Sequence, residues 1–219
     1  MKIACIGYRD WSLEIYSRIE KSCPNHSFIL YKSKEEFDED ALINFNPDFI
    51  LFYGWSWMVP EKLTNNFTCV MLHPSPLPKY RGGSPLQNQI IAGEEQGAVT
   101  LFIIDKEIDA GPILAQENIS LLGQLTEVFE RIIEVGAKLT LDLLKGKFSP
   151  IEQDHTQATY CKRRKPEESE LTIDEISNRS ATYLHNKIRM LQDPYPNAFI
   201  RTADGEKLFI TSSKVAGKN

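Results

Sequence analysis

The chain has 219 residues, of which 42% are hydrophobic and 25% are charged, the balance of an ordinary soluble globular protein. Its formal net charge of −5 argues against a protein that binds a phosphate backbone, because such proteins carry a surplus of Lys and Arg. The length suits one good-sized domain with a small appendage.

The first half of the chain alternates short apolar runs with amphipathic segments. The apolar runs predict strands at 2–7, 28–31, 48–53, 68–72 and 99–104. The segments between and after them predict helices at 11–20, 34–44 and 128–144. Strands that alternate with helices predict an α/β fold with a mostly parallel sheet, covered on both faces.

The second half is more polar, and it predicts a small C-terminal extension. A helix is predicted at 171–192, followed by a hairpin of 198–201 and 207–211 around an Asp-Gly turn. We therefore expect a catalytic domain at 1–150 and an extension at 151–219.

The cysteine pattern and the apolar runs indicate whether the chain binds a metal and where in the cell it is located. None of the four cysteines has C-x-x-C spacing or a nearby His, so we predict no metal site, and Cys5 and Cys69 are expected to be buried free thiols. The chain shows neither a secretory leader nor a membrane span, which predicts a cytoplasmic protein without a membrane partner.

The segment 71–89, MLHPSPLPKYRGGSPLQNQ, directly follows the fourth predicted strand. A Pro- and Gly-rich loop at a strand end is a usual place for catalytic groups in an α/β enzyme, and His73 is its first polar residue. Ser84 and Pro85 predict a helix start, whose free N–H groups attract anions. Lys79 and Arg81 add positive charge there.

The segment 104–116, IDKEIDAGPILAQ, carries Asp109 just before a turn signal. Because the ends of neighbouring parallel strands meet at one edge of a sheet, we expect Asp109 to lie beside His73. Taken alone, His73 is as well explained by a structural role, and Asp109 by the capping of a turn.

Both segments match known signatures. The stretch 73–82, HPSPLPKYRG, resembles the signature loop of the 10-formyltetrahydrofolate-dependent formyltransferases, and 108–112, IDAGP, resembles their second signature. The resemblance implies a Rossmann-like fold, a homodimer and N10-formyltetrahydrofolate as cosubstrate, with no metal. It places folate against 53–58, YGWSWM, and the second signature, with contacts from Trp55, Ser56, Trp57, Met58, Asp105 and Ile108.

The chemistry of formyl transfer gives the candidate residues their roles. An amine that attacks a formyl carbonyl needs a donor for the developing oxyanion and an acceptor for the proton of the nitrogen. His73 meets the first need, and Asp109 meets the second directly or through a water. The residues expected to face the amine substrate are Lys79, Tyr80, Arg81, Gly83, Ser84, Gln87 and Asn88.

The resemblance extends to the sugar-modifying branch of the family. Residues 163–170 and 184–199 are similar to the extension of the enzyme that formylates UDP-4-amino-arabinose. We therefore expect a dTDP- or UDP-linked amino sugar as substrate, in O-antigen or other surface-polysaccharide synthesis, and no nucleic-acid partner. One alternative is a formyltransferase that acts on another amine, either glycinamide ribonucleotide or methionyl-tRNA, although the tRNA enzymes have a larger C-terminal domain. The other is a binding homologue whose catalysis is weakened.

One position departs from the family pattern. The family has an Asn two residues before the His, and this chain has Met71 there. Losing one oxyanion donor costs on the order of 100- to 1000-fold in rate. Gln87 and Asn88, in the first turn of the next predicted helix, are the candidate substitutes.

Overall fold

The computed structural model describes residues 1–217, which form an α/β fold around a six-stranded sheet. The strands are β1 (Lys2–Ile6), β2 (Ser27–Tyr31), β3 (Phe49–Tyr53), β4 (Cys69–His73), β5 (Arg81–Gly82), β6 (Gln96–Ile103), β7 (Ile113–Ser120), β8 (Tyr160–Cys161), β9 (Ala198–Arg201) and β10 (Lys207–Ile210). The helices are α1 (Asp10–Ser22), α2 (Glu39–Phe45), α3 (Glu61–Asn66), α4 (Pro85–Ala92), α5 (Leu125–Leu144), α6 (Ile173–Asn178) and α7 (Ala181–Arg189).

The main sheet has the order β2-β1-β3-β4-β6-β7, and it is mostly parallel, as predicted. β1 to β4 run parallel, whereas β6 runs antiparallel to β4, and β7 antiparallel to β6. The expectation that the strand at 99–104 continues the parallel series is therefore wrong, because an apolar run does not encode the direction of its strand. β7 was not predicted.

The core lies on both faces of the sheet. One face packs against α1 and α5 through side chains that include Ile15, Ile19 and Val128, and the other face packs against Leu42 of α2 and Leu63 of α3. All five of these side chains are fully buried. The two-sided cover agrees with the prediction, and Cys5 and Cys69 are buried free thiols, also as predicted.

Two predicted helices have different bounds in the structure. The helix predicted at 34–44 begins only at Glu39, because the Asp38 carboxylate caps it by accepting a hydrogen bond from the Ala41 N–H. The helix predicted at 171–192 is two helices, since Thr172 and Ser180 each cap a new start. The hydroxyl of Ser180, in the middle of the predicted helix, thus divides the amphipathic segment.

The C-terminal extension packs onto the part of the chain that forms the main sheet. Arg189 at the end of α7 donates hydrogen bonds to the carbonyls of Leu121 and Gly123, at 2.8 and 2.9 Å. Ile188 and Leu191 belong to the same apolar cluster as the sheet. β9 and β10 form the predicted hairpin. The predicted extension runs to residue 219, and its last two residues lie outside the described part.

Within residues 1–217, no helix combines the length and the apolar character needed to cross a membrane.

Candidate active site

His73 and Asp109 meet in the structure. The Nδ1 atom of His73 lies 3.5 Å from an Asp109 carboxylate oxygen, Oδ2, and the two side chains are 6% and 11% exposed. The same oxygen accepts a hydrogen bond of 2.7 Å from the Gly82 N–H. The pair is therefore enclosed more tightly than an open cleft, with a small part of each side chain still reaching the solvent.

The route by which Asp109 reaches His73 differs from the expected one. His73 pairs with Thr100 and Val70 pairs with Ile103, so antiparallel β6 ends beside the beginning of β4. The loop between β6 and β7 must therefore run back along the direction of β4, from the level of Val70 to that of His73, to bring Asp109 to His73. The proximity was predicted, but its reason, two parallel strands ending together, was wrong.

The second ring nitrogen of His73 is already engaged. Its Nε2 atom lies 2.8 Å from the carbonyl oxygen of Tyr80, and a carbonyl can only accept, so Nε2 carries the proton of this hydrogen bond. Nδ1 is left to face Asp109. It can donate to a developing oxyanion when the ring carries both protons, a form whose charge the neighbouring carboxylate balances.

The loop that carries His73 is held by side chains from three other elements. The amides of two glutamines and the hydroxyl of a threonine donate to carbonyls along the loop. These contacts are Gln89 to Pro74 at 2.8 Å, Thr100 to Ser75 at 2.7 Å and Gln116 to Leu77 at 3.0 Å. A loop fixed in this way presents its groups in one geometry, as electrostatic catalysis requires.

Backbone strain is concentrated at the same place. Tyr80, Ser84 and Asp109 have φ angles of 60°, 52° and 51°, in the left-handed region that non-glycine residues rarely adopt. Each such residue costs about 1–3 kcal/mol, and such residues cluster at functional sites. The Tyr80 carbonyl and the Asp109 carboxylate, the two groups that contact His73, both belong to strained residues.

Arg81 does not face a substrate, which corrects the expectation from its charge. Its side chain is fully buried, and its guanidinium donates to Gln153 Oε1 at 2.7 and 3.2 Å and to the Tyr160 hydroxyl at 3.0 Å. His155 Nδ1 lies 3.4 Å from it. The sequence pattern of a charged loop could not show that Gln153, Tyr160 and His155 enclose the cation.

Gln153 links Arg81 to the backbone at Asp109. Its amide group donates to the carbonyl oxygens of Asp109 and Gly111, at 3.0 and 2.7 Å. Gln153 is thus a supporting residue that the sequence did not reveal, since it lies 44 positions from Asp109 and no motif surrounds it. Its contacts hold the turn that presents the Asp109 carboxylate to His73.

The polar residues around the start of α4 are also engaged. The Asn88 amide donates to the carbonyls of Gly83, Ser84 and Lys162, which corrects its assignment as a free oxyanion donor. Ser84 lacks the predicted capping bond, and its hydroxyl accepts from the Arg164 N–H instead. Pro85 occupies the first turn of α4, as predicted.

Neither Met71, which stands at the position of the family Asn, nor Gln87 replaces the hydrogen-bond donor that this Asn provides. Met71 lies on the same face of β4 as His73, two residues earlier, and packs against the apolar cluster that covers this face. Gln87 is 4% exposed and lies beside Tyr195 of the extension. Burial raises the pKa of Tyr195, and the nearby Gln87 side chain opposes this change by less.

Several predicted substrate residues line one cleft of about 660 Å³ beside the loop. The lining includes Lys79, Tyr80 and Asn88, Lys162 and Arg164 of the extension, and the carboxylates Glu94 and Glu168. The Tyr80 hydroxyl donates to Glu94, and burial together with this carboxylate raises the pKa of Tyr80 to about 12. Gly83 packs against Arg163 so closely that an added Cβ would lie 2.5 Å from its backbone.

Each of the two predicted folate segments exposes an apolar side chain. Met58 is 80% exposed and Ile108 is 60% exposed. Trp55 is half-buried and packs against Phe52, whereas the Ser56 hydroxyl shares a hydrogen bond of 2.7 Å with that of Tyr8. Asp105 is exposed and accepts from the Lys106 N–H. These exposed apolar groups suit a flat heterocycle.

No group of three or more His, Cys, Asp and Glu side chains among residues 1–217 is arranged to hold a metal ion.

Comparison with known proteins gives a family match. Residues 15–144 match the family model described as formyl transferase. A methionyl-tRNA formyltransferase from Lachnospira eligens is 31% identical over an alignment of 213 positions, which covers 92% of this chain and 66% of that protein. Across eight curated methionyl-tRNA formyltransferases, the chain spans between 51% and 66% of the length of each relative.

Two solved structures show the same fold. A methionyl-tRNA formyltransferase from Clostridium thermocellum superposes with a TM-score of 0.90 at 31% identity, covering 100% of this chain and 95% of that one. A sugar N-formyltransferase from a Shewanella species superposes with a TM-score of 0.77 at 18% identity, covering 100% and 99% of the two chains.

Proposed function

Because the chain belongs to the formyl transferase family, we propose that it transfers the formyl group of N10-formyltetrahydrofolate to a primary amine. The observation that supports this reaction best is the contact between His73 and Asp109, at 3.5 Å, on the signature loop. The exposed apolar side chains of Met58 and Ile108 offer a place for the folate ring.

The residues divide the work of the transfer. The amine nitrogen attacks the formyl carbon, and the carbonyl oxygen becomes negative. The Nδ1–H of His73 donates to this oxygen, while its Nε2–H stays on the Tyr80 carbonyl. Asp109 accepts the proton released by the amine, and a proton returns to the folate nitrogen as its bond to the formyl carbon breaks.

For the amine, we propose the amino group of methionyl-tRNA, the alternative to the sugar substrate expected from the sequence. It is supported by the names of the curated relatives, which are 30–34% identical to the chain, and of the Clostridium thermocellum structure. In the structure, Lys79, Lys162 and Arg164 line the cleft beside the loop together with the carboxylates Glu94 and Glu168, so the three cations that could attract a phosphate outnumber two acidic groups.

A nucleotide-linked amino sugar is the second candidate. The segment 184–199, whose resemblance suggests this substrate, brings Tyr195 to Gln87 at the start of α4. The net charge of −5 is unfavourable for a tRNA-binding surface. A homodimer, implied by the resemblance alone, belongs to the same proposal, and light scattering in solution tests it.

The experiment is a transfer assay with a panel of amines. Purified protein is incubated with formyl-labelled N10-formyltetrahydrofolate and with methionyl-tRNA, glycinamide ribonucleotide, or UDP- and dTDP-linked amino sugars, and products are identified by mass. Label on methionyl-tRNA alone supports the first proposal, and label on a sugar nucleotide alone supports the second. Absence of label on every amine, with folded protein, contradicts formyl transfer.

A further inference from the structure

One segment that follows α5 contacts both signature motifs. Residues 151–161, called the bridging segment below, run from the turn at Asp109 to the loop that carries His73. Its first residue, Ile151, exchanges two backbone hydrogen bonds of 2.8 Å with Ile113 of β7, and its last two residues form β8, which pairs with β5. The segment lies beyond the part of the chain that matches the family model, so the match gives it no role.

The side chain of Gln153, in the bridging segment, is buried and can take only one orientation. Its Oε1 accepts two hydrogen bonds from the Arg81 guanidinium, at 2.7 and 3.2 Å. Its amide nitrogen donates to the carbonyls of Asp109 and Gly111, at 3.0 and 2.7 Å. Because a guanidinium can only donate and a carbonyl can only accept, exchanging the oxygen and nitrogen of this amide would break every one of these bonds. Arg81 therefore fixes the direction in which Gln153 donates.

The turn at Asp109 depends on such support. Asp109 has a φ angle of 51°, which is unfavourable for a non-glycine residue by about 1–3 kcal/mol. Its Oδ2 atom lies 3.5 Å from His73 Nδ1 and accepts a hydrogen bond of 2.7 Å from the Gly82 N–H. Without the two bonds from the Gln153 amide, the backbone of the turn is free to relax, and the carboxylate moves with it.

The bridging segment also holds the other group that contacts His73. The N–H of Tyr80 donates to Thr159 Oγ1 at 2.9 Å, and the N–H of Arg81 donates to the Thr159 carbonyl at 2.8 Å. The Tyr80 carbonyl, which belongs to the same peptide group as the Arg81 N–H, accepts the hydrogen bond from His73 Nε2. One segment thus supports both neighbours of the imidazole, at its two ends.

We propose that Gln153 is a positioning residue for formyl transfer, which acts through Asp109 without contact to either substrate. Its amide holds the Asp109 turn so that the carboxylate stays within reach of the His73 ring and of the attacking amine. The proposal rests on the proposed function in one respect, that Asp109 accepts the proton of the amine. Geometry of this kind matters because a displacement of about 1 Å can cost about 100-fold in rate.

The first test is the rate of single-turnover formyl transfer by Gln153→Glu. This change keeps the size of the side chain and an acceptor for Arg81, but it removes both N–H donors to the turn. We expect kcat to fall about 10- to 100-fold with little change in KM. Gln157→Glu, at an exposed position of the same segment, is the matched control, and thermal unfolding checks that both variants are folded. Equal rates for the two variants overturn the proposal.

A double-mutant cycle separates positioning from a general structural role. In an Asp109→Asn background, Gln153→Glu is expected to change kcat by less than about twofold, because the carboxylate that Gln153 positions is already gone. A residue that only stabilises the fold would cost the same factor in both backgrounds. An equal loss in the two backgrounds therefore overturns the proposal, and a loss confined to the chain with Asp109 supports it.

The second readout needs no turnover. The protein is labelled with ¹⁵N in its four histidines, and the ring signals of His73 are identified by their loss in His73→Ala. Gln153→Glu is expected to shift the Nδ1 signal, which faces Asp109, and to leave the Nε2 signal in place. An unchanged Nδ1 signal overturns the proposal. A shifted Nδ1 signal in a protein that formylates no amine would reject the proposed function and retain the placement of Asp109 by Gln153.

Discussion

The imidazole of His73 is held at Nε2 by the Tyr80 carbonyl, and its Nδ1 lies 3.5 Å from the Asp109 carboxylate. We expect His73→Ala to lower kcat by about 100- to 10,000-fold, the usual contribution of one positioned proton-transfer group. Asp109→Asn, which keeps the shape, is expected to lower kcat in the same range. Single-turnover formyl transfer measures both effects without interference from product release.

The control for these two variants is His26→Ala, which removes an imidazole near the start of β2, away from the loop. It is expected to leave kcat unchanged. If His73→Ala is as active as His26→Ala, the imidazole at 73 has no part in the reaction.

Met71 occupies the position of a family amide donor, and the Asn88 amide is committed to backbone carbonyls. We therefore expect Met71→Asn to raise kcat by at least about tenfold, toward the 100- to 1000-fold that such a donor contributes. Met71→Leu keeps an apolar side chain of similar size and is the matched control. Equal rates for the two variants would mean that another group already stabilises the oxyanion.

At the residue scale, the sequence predicted the roles of residues that stand in continuous motifs. His73 and Asp109 stand in continuous motifs, so their chemistry was visible without a structure. The burial of Arg81 could not be predicted from the sequence, because its partners lie 72 to 79 positions further along the chain. Charge alone suggested a substrate contact, and only the fold shows that Gln153 and Tyr160 surround the guanidinium.

At the scale of elements, apolar runs predicted where strands lie but not how they pair. The antiparallel direction of β6 depends on its partners, and β7 mixes buried with exposed positions, a weaker signal than the continuous runs of β1 or β3. Helix starts were missed where a capping side chain decides them, as Asp38 does for α2.

The pairing of α6 with α7 gives a prediction about acid stability. The Lys187 ammonium is buried and lies 2.7 Å from Glu175, and although burial opposes it, this hydrogen bond lowers the pKa of Glu175. Because the pKa of Glu175 is lower in the folded protein than its ordinary value of 4.5, the ion pair stabilises the folded protein at pH values above 4.5. This stabilisation is lost as the pH falls through the pKa that Glu175 has in the folded protein.

Glu175→Gln is therefore expected to reduce the free energy of unfolding at pH 7 by about 1–3 kcal/mol, since it leaves a buried ammonium without its charged partner. Urea unfolding at pH 7 and near pH 4 measures the difference, which should shrink at the lower pH. Glu152→Gln, at an exposed carboxylate, controls for the loss of one negative charge. A difference that is independent of pH would exclude the ion pair as its cause.

At the scale of the whole molecule, the extension shares a core with the sheet, and Arg189 joins the two. Arg189 is 7% exposed, and this burial lowers the pKa of its guanidinium. We expect Arg189→Met to lower the free energy of unfolding by about 1–3 kcal/mol, because the carbonyls of Leu121 and Gly123 lose their donor.

Thermal unfolding measures this loss, with Arg18→Met as the control. Arg18 forms an exposed ion pair with Glu14, a kind of contact that contributes little. Equal melting temperatures for the two variants would show that the two carbonyls find other partners when Arg189 is gone.

The hydrogen bonds that shape the loop carrying His73 have a kinetic consequence. They join residues 25, 39 and 79 positions apart, through Thr100, Gln116 and Thr159. Contacts between distant parts of a chain form late in folding, because long segments must first be closed. During refolding from denaturant, we therefore expect helical signal to return before catalytic competence, so that the last structure to mature is the one that performs the reaction.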